Sequence, residues 1–278
     1  MLTGIFAKTF AVTGAGPVLH AVRAAGYGMA QFNFACLGLP PMPADIPAAL
    51  SHSIAEAARA TGVPIAAVSG TYNMIHPDVN QRAEGLRRLQ TMIEAAPAMG
   101  TRLVTLCTGT RDPDDQWRHH PDNTTPMAWR DLIAALEPAL TTAEAHGVDL
   151  GVEPELANVV SSPELAQRLI AELRSPRLKI VLDPANLFER ARAPDIASIV
   201  ERAIDLLADH MVMTHAKDRR ADGSFCAAGT GVIDFGHFVG RLHKAGIKCV
   251  LMTHGLSERE APGVAAFLRR TIDESTAT

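Results

Sequence analysis

The sequence predicts an α/β fold, a closed (β/α)8 TIM barrel formed by one domain over residues 1–278. Three observations carry the prediction. Eight short apolar runs recur along the chain, patterns with the helical 3.6-residue period lie between them, and glycine follows the ends of several of those patterns. A barrel of this kind takes about 250 residues, so the length suits one such unit.

The runs fall at 2–7, 29–34, 64–69, 103–107, 148–153, 178–182, 211–215 and 248–254. Each is nearly continuous in apolar residues, as strands covered on both faces must be. Between them, Leu132, Ile133, Leu136 and Leu140 share one helical face. So do Ile196, Ile199, Val200, Ala203, Ile204 and Leu207, and later Val264, Phe267 and Leu268. Ser162-Pro163 supplies a cap followed by proline at a first helical position. Gly26, Gly62, Gly100, Gly147 and Gly246 stand where helices should stop, because glycine accepts the left-handed backbone needed there. An open doubly wound sheet fits less well. It usually carries a glycine-rich phosphate loop after the first strand, where this chain has Ala7-Lys8-Thr9-Phe10.

Hydrophobic residues make up 47% of the chain, enough for a large core. The net charge is −4 and the 26 basic residues are scattered, which argues against a nucleic-acid partner. No apolar stretch is long enough for a membrane span. The opening MLTGIFAKTF lacks the pattern of a signal peptide. Cys36, Cys107, Cys226 and Cys249 form no CxxC pair and read as reduced, buried thiols, so a cytoplasmic location is expected.

In this fold the chemistry sits at the carboxyl ends of the strands. The fifth run ends in Gly-Val-Glu153-Pro-Glu155, the sixth in Val-Leu-Asp183-Pro-Ala-Asn186, the seventh in Met-Thr-His215-Ala-Lys217-Asp218, and the eighth in Met-Thr-His254-Gly. Glu153, Asp183, His215 and His254 are separated by 30, 32 and 39 residues, one strand–helix unit each. Four neighbouring strands would therefore point these side chains into one cup. Carboxylate and imidazole are ligands for Mn²⁺, Fe²⁺, Co²⁺ and Zn²⁺, and two carboxylates balance a divalent charge. One divalent ion per chain is expected, with Mn, Co, Zn or Fe favoured over Mg, a hard cation preferring oxygen. Glu155 lies two residues past Glu153, on the same side of an extended chain.

The segments GVEPE, VLDPAN, THAKD and LMTHGLSE resemble the xylose-isomerase-like TIM barrels, the broad family of sugar phosphate isomerases and epimerases. The resemblance runs over essentially the whole chain. It implies one divalent metal held by Glu, Asp, His and a second Glu from strands five to eight. Glu153, Asp183 and His215 match that set, and His254 stands where the second glutamate is usual. In such epimerases the two glutamates also exchange protons on opposite faces of the substrate. The imidazole preserves a metal site but removes one of those two bases. The resemblance further implies a carbohydrate substrate and allows a homodimer.

Other residues at this face are candidates for the substrate. Asn73 and His76 follow the third run and offer hydrogen bonds to sugar hydroxyls. Lys217 offers an ammonium to a carbonyl or a phosphate. The polar stretch 108–125 after the fourth run is long enough for a lid, with Trp117, His120 and Asn123 as capping groups. The reaction expected is isomerisation or epimerisation of a small sugar or keto-sugar by proton abstraction next to a carbonyl, with Glu153 or His254 moving the proton. A lyase or dehydratase on a keto-sugar or keto-inositol needs only one base and is the alternative. An abasic-site endonuclease conflicts with the charge, and a non-catalytic sugar-binding barrel is the remaining reading.

Overall fold

The computed structural model describes residues 1–276. Eight parallel strands close on themselves: β1 (Leu2–Phe6), β2 (Met29–Phe32), β3 (Ile65–Ser69), β4 (Leu103–Cys107), β5 (Asp149–Glu153), β6 (Leu178–Leu182), β7 (Met211–Arg219) and β9 (Val250–Thr253). Closure comes from the pairing of β9 with β1, including Gly4 opposite Met252. Around them lie α1 (Ala15–Ala24), α2 (Ala48–Thr61), α3 (Val79–Ala95), α4 (Pro126–His146), α5 (Pro163–Leu173), α6 (Ala193–Leu207), α7 (Phe235–Lys244) and α8 (Ala261–Thr276). This is the (β/α)8 barrel that the alternation of periods predicts.

The local signals act as the sequence indicates. The Ser162 hydroxyl accepts the Leu165 N–H at 3.3 Å with Pro163 in the first turn of α5. Gly62, Gly100 and Gly147 adopt φ of 68°, 87° and 63° at helix ends. The four cysteines are buried free thiols. Among the described residues, no helix is long and apolar enough to cross a membrane.

One correction concerns β7. The apolar run stops at His215, but the strand continues to Arg219 and turns back as β8 (Phe225–Ala227). The pair is antiparallel, with Lys217 opposite Ala227 and Arg219 opposite Phe225. Asp218 latches this hairpin. Its buried carboxylate accepts the backbone N–H groups of Arg219 (2.8 Å), Gly229 (3.1 Å), Gly231 (2.9 Å) and Ile233 (3.1 Å). A side chain at position 231 would meet Arg219 O at 2.1 Å, so glycine is required there.

The barrel interior explains where the polar groups come to rest. Ala67, Val181, Met213 and Met252 form a small apolar plug. Gly4 makes room for the Met252 side chain, and Gly151 for Val181. Because side chains alternate along a strand, the residue two positions beyond each inward residue also faces inward. Gly151 leads to Glu153, Val181 to Asp183, Met213 to His215 and Met252 to His254. The apolar plug is thus a floor, and a polar layer lies on it at the carboxyl end.

Candidate metal centre

Glu153, Asp183, His215 and His254 each offer a ligand atom, and these atoms all lie within 4.8 Å of one another. Asp183 is fully buried, Glu153 and His215 are nearly so, and His254 borders the mouth. His215 Nδ1 is 3.1 Å from Glu153 Oε1 and 3.9 Å from Asp183 Oδ2. His254 Nε2 is 3.0 Å from Asp183 Oδ2. The two imidazole rings are tilted against each other at 4.4 Å.

Further residues brace this layer. Asn186, in the short turn after β6, donates its amide to Glu153 Oε1 at 2.7 Å and accepts Lys217 Nζ at 2.7 Å. Lys217 Nζ is also 3.2 Å from Asp183 Oδ2. The Phe225 ring of the hairpin lies over that ammonium at 3.9 Å and over the Arg219 guanidinium at 4.0 Å. Arg219 itself bonds to Ala185 O and Gly223 O. On the far side, His215 Nε2 lies 3.1 Å from Gln31 Oε1.

The electrostatics follow from burial and pairing. Burial alone would raise the Asp183 carboxyl, but Lys217 and His254 hold it well below the usual carboxylate range. Burial likewise opposes ionisation of Glu153, and His215 reverses the balance and keeps it low. Burial depresses the basicity of His254, and neighbouring His215 adds to the effect. Burial works against charge on His215, yet Glu153 and Asp183 outweigh it and raise its proton affinity. Burial pushes the Glu155 carboxyl up to about 7.

The donor set fits a divalent cation. Two carboxylates and two imidazoles converge from four adjacent strands, on an apolar floor, with the His215 imidazole tied from behind by a buried amide. Two imidazoles make the set softer than an all-oxygen cage.

The loop candidates are placed differently. Asn73 donates to Asp112 O at 3.3 Å and accepts Thr110 N at 2.9 Å. His76 places Nε2 3.0 Å from Pro113 O and accepts Asp78 N on Nδ1. Their polar atoms tie the β3 loop to the segment 108–125 rather than standing free. Asn123 serves the same segment, accepting Arg111 N at 2.7 Å and donating to Ala157 O at 2.8 Å. His120 caps the short turn Pro121–Thr124 by accepting Asp122 N. Trp117 is 52% exposed on this otherwise well-tied loop. Sequence reasoning missed Gln31 as a brace of His215 and Asn186 as a brace of Glu153; a lone amide leaves no periodic signal.

A family model described as xylose isomerase-like TIM barrel matches residues 19–271. No curated protein matches the chain. Among solved structures, an L-ribulose 3-epimerase is similar with a TM-score of 0.76 and 19% identity, over 99% of this chain and 96% of that one. A D-tagatose 3-epimerase-like protein gives 0.77 at 15% identity, over 100% and 99%. A xylose isomerase-like TIM barrel protein from Mycobacterium smegmatis, in complex with magnesium, gives 0.70 at 13%, over 99% and 97%. At these identities the likeness to solved structures is one of fold, whereas the family model spans most of the sequence. The chain belongs to the xylose isomerase-like TIM barrel family.

Proposed function

We propose that this protein is a divalent-metal-dependent isomerase or epimerase that moves a proton next to the carbonyl of a small sugar or keto-sugar. The observation that carries the reading is the convergence of Glu153, Asp183, His215 and His254 at the mouth of the barrel. The likeness in fold to an L-ribulose 3-epimerase and a D-tagatose 3-epimerase-like protein supports it.

Glu153, Asp183, His215 and His254 would hold the ion, and the two imidazoles favour Mn, Co, Zn or Fe over Mg. Bound there, the ion would supply Lewis acidity to a substrate carbonyl and a neighbouring hydroxyl. Glu153 is the proton-transfer group. Asn186 and His215 both engage its Oε1, so Oε2 is the oxygen assigned to the substrate proton. His254 is mainly a ligand, with its Nε2 directed at the Asp183 carboxylate. Lys217, whose ammonium sits beside Asp183, would serve a substrate oxygen once an ion takes that carboxylate, and the exposed Trp117 ring would close over the sugar from the 108–125 loop.

A second reading, a lyase on a keto-sugar or keto-inositol, is supported by one observation. The residue that follows β9 is the imidazole of His254 rather than a second carboxylate, and β-elimination needs a single base.

The test is elemental analysis of the purified protein, followed by incubation of the Mn²⁺-, Co²⁺- or Zn²⁺-loaded form with a panel of ketoses in D₂O. One ion per chain and deuterium uptake at the α-carbon are expected. Glu153→Gln keeps the ion and slows exchange by about 10²-fold or more. Rearranged sugar distinguishes the isomerase from the lyase, which releases water or another leaving group. Protein that neither takes an ion nor exchanges the proton overturns the reading.

A further inference from the structure

We propose that Lys217 is a built-in counter-cation: it holds the candidate metal centre together before an ion arrives, and the ion displaces it. The inference rests on the metal reading above and adds a thermodynamic role for a residue that is not itself a ligand.

Two carboxylates converge here almost without solvent, with side-chain exposures of 11% for Glu153 and 0% for Asp183. Buried like charges are costly unless a cation or hydrogen bonds compensate them. Lys217 provides that compensation. Its ammonium is 3.2 Å from Asp183 Oδ2 and 2.7 Å from Asn186 Oδ1, and Asn186 in turn holds Glu153 Oε1. One lysine thus restrains both carboxylates, one directly and one through an amide.

The ammonium is also held in place. Lys217 is only 7% exposed, and the Phe225 ring covers it from the β8 side. The hairpin that carries Phe225 is latched by the four backbone bonds to Asp218. Arg219 cannot take over, because its guanidinium is bonded to Ala185 O and Gly223 O.

The competition is over a single atom. Asp183 Oδ2 is the oxygen that Lys217, His254 Nε2 and, at 3.9 Å, His215 Nδ1 all approach. A divalent cation that takes Oδ2 removes the partner of the ammonium and sets like charges against each other. Removing the lysine charge therefore has two effects of opposite sign. The metal-free protein loses stability, because Asp183 loses its ammonium partner and only the bonds from His215, His254 and Asn186 remain on two buried carboxylates. The same protein binds metal more tightly, because the ion meets no competing cation. A lysine that merely shaped the site would, on removal, weaken both.

The experiment compares metal-free wild type, Lys217→Met and Lys217→Gln by thermal melting and by calorimetric titration with Zn²⁺ and Mn²⁺. Met removes the charge and its bonds, whereas Gln keeps a neutral donor and carries the test if Met does not fold. The metal-free melting temperature is expected to fall by several degrees. The metal Kd is expected to drop tenfold or more, so the metal-induced rise in melting temperature exceeds that of wild type. An unchanged or weaker metal affinity in a folded variant, or an unchanged metal-free melting temperature, overturns the counter-cation role and leaves the metal reading standing. Failure of wild type and both variants to bind either metal overturns the metal reading itself.

Discussion

His215 Nε2 meets Gln31 Oε1 at 3.1 Å across the barrel interior, from strands β7 and β2. The orientation of that amide is set in turn, since Gln31 Nε2 donates to Thr105 Oγ1 at 3.0 Å. An amide oxygen facing Nε2 favours the proton there, which would leave Nδ1, facing Glu153 and Asp183, to bind an ion under the proposed function. Gln31→Leu keeps the bulk and removes this control. Metal affinity should weaken by about 10–100-fold, as loss of such supporting bonds does elsewhere. Calorimetric titration checks it, and an unchanged Kd would show that His215 is oriented by its carboxylate neighbours alone.

Trp117 exposes an indole on a loop whose backbone is otherwise tied down. Asp112 Oδ1 accepts the N–H groups of Asp114 and Asp115 at 2.9 Å, and Asn158 accepts Gly109 N at 2.8 Å. The loop therefore does not need the indole to hold its shape. Trp117→Ala should alter stability by less than about 0.5 kcal/mol and leave metal content unchanged. It should raise KM for a turned-over sugar by about tenfold, the loss expected for one stacking ring. Steady-state kinetics with metal analysis decides; unchanged KM and kcat would remove the loop from the substrate site.

Asp131 on α4 receives both Arg82 of α3 and Arg111 of the 108–125 loop. Its partial burial opposes ionisation, but the two guanidinium bonds outweigh it and hold the carboxyl below its ordinary range. A depressed folded-state value stabilises the protein above the unfolded value near 4. That contribution is lost as pH falls through the folded value. Asp131→Asn should cost about 1–2 kcal/mol at pH 7. The gap from wild type should persist at pH 5 and narrow at pH 3. Urea unfolding at the three values checks the sign, and a gap that widens in acid would contradict it.

Much of this architecture is legible in the sequence because periodic features carry it. The helix-ending glycines and the eight apolar runs give the barrel. The spacing of Glu153, Asp183, His215 and His254 gives the polar cup, since one strand–helix unit between each pair puts equivalent positions at one rim. What stays hidden depends on single side chains or short pairings. β8 is three residues long and follows the polar turn 220–224, so it has no period to detect. Asn73 and His76 sit where substrate contacts would be expected, but the choice between a sugar hydroxyl and a neighbouring loop carbonyl is made by tertiary distance. Gln31 sits inside an apolar strand, and its partner lies 184 positions away.

β7 runs past the rim without a break, so its alternation sets the phase of everything above it. His215 and Lys217 occupy one face, and Asp218 the other, two residues apart or one. A single deleted or inserted residue between Met211 and His215 would swap the faces. Ala216 and Asp218 would then line the mouth, the imidazole would turn into the helical shell, and the latch would lose its carboxylate. Imidazole, ammonium and latch thus share one reading frame along nine residues. A change in the length of this strand would therefore disturb all three at once, whereas an exchange of side chain at constant spacing would disturb only one.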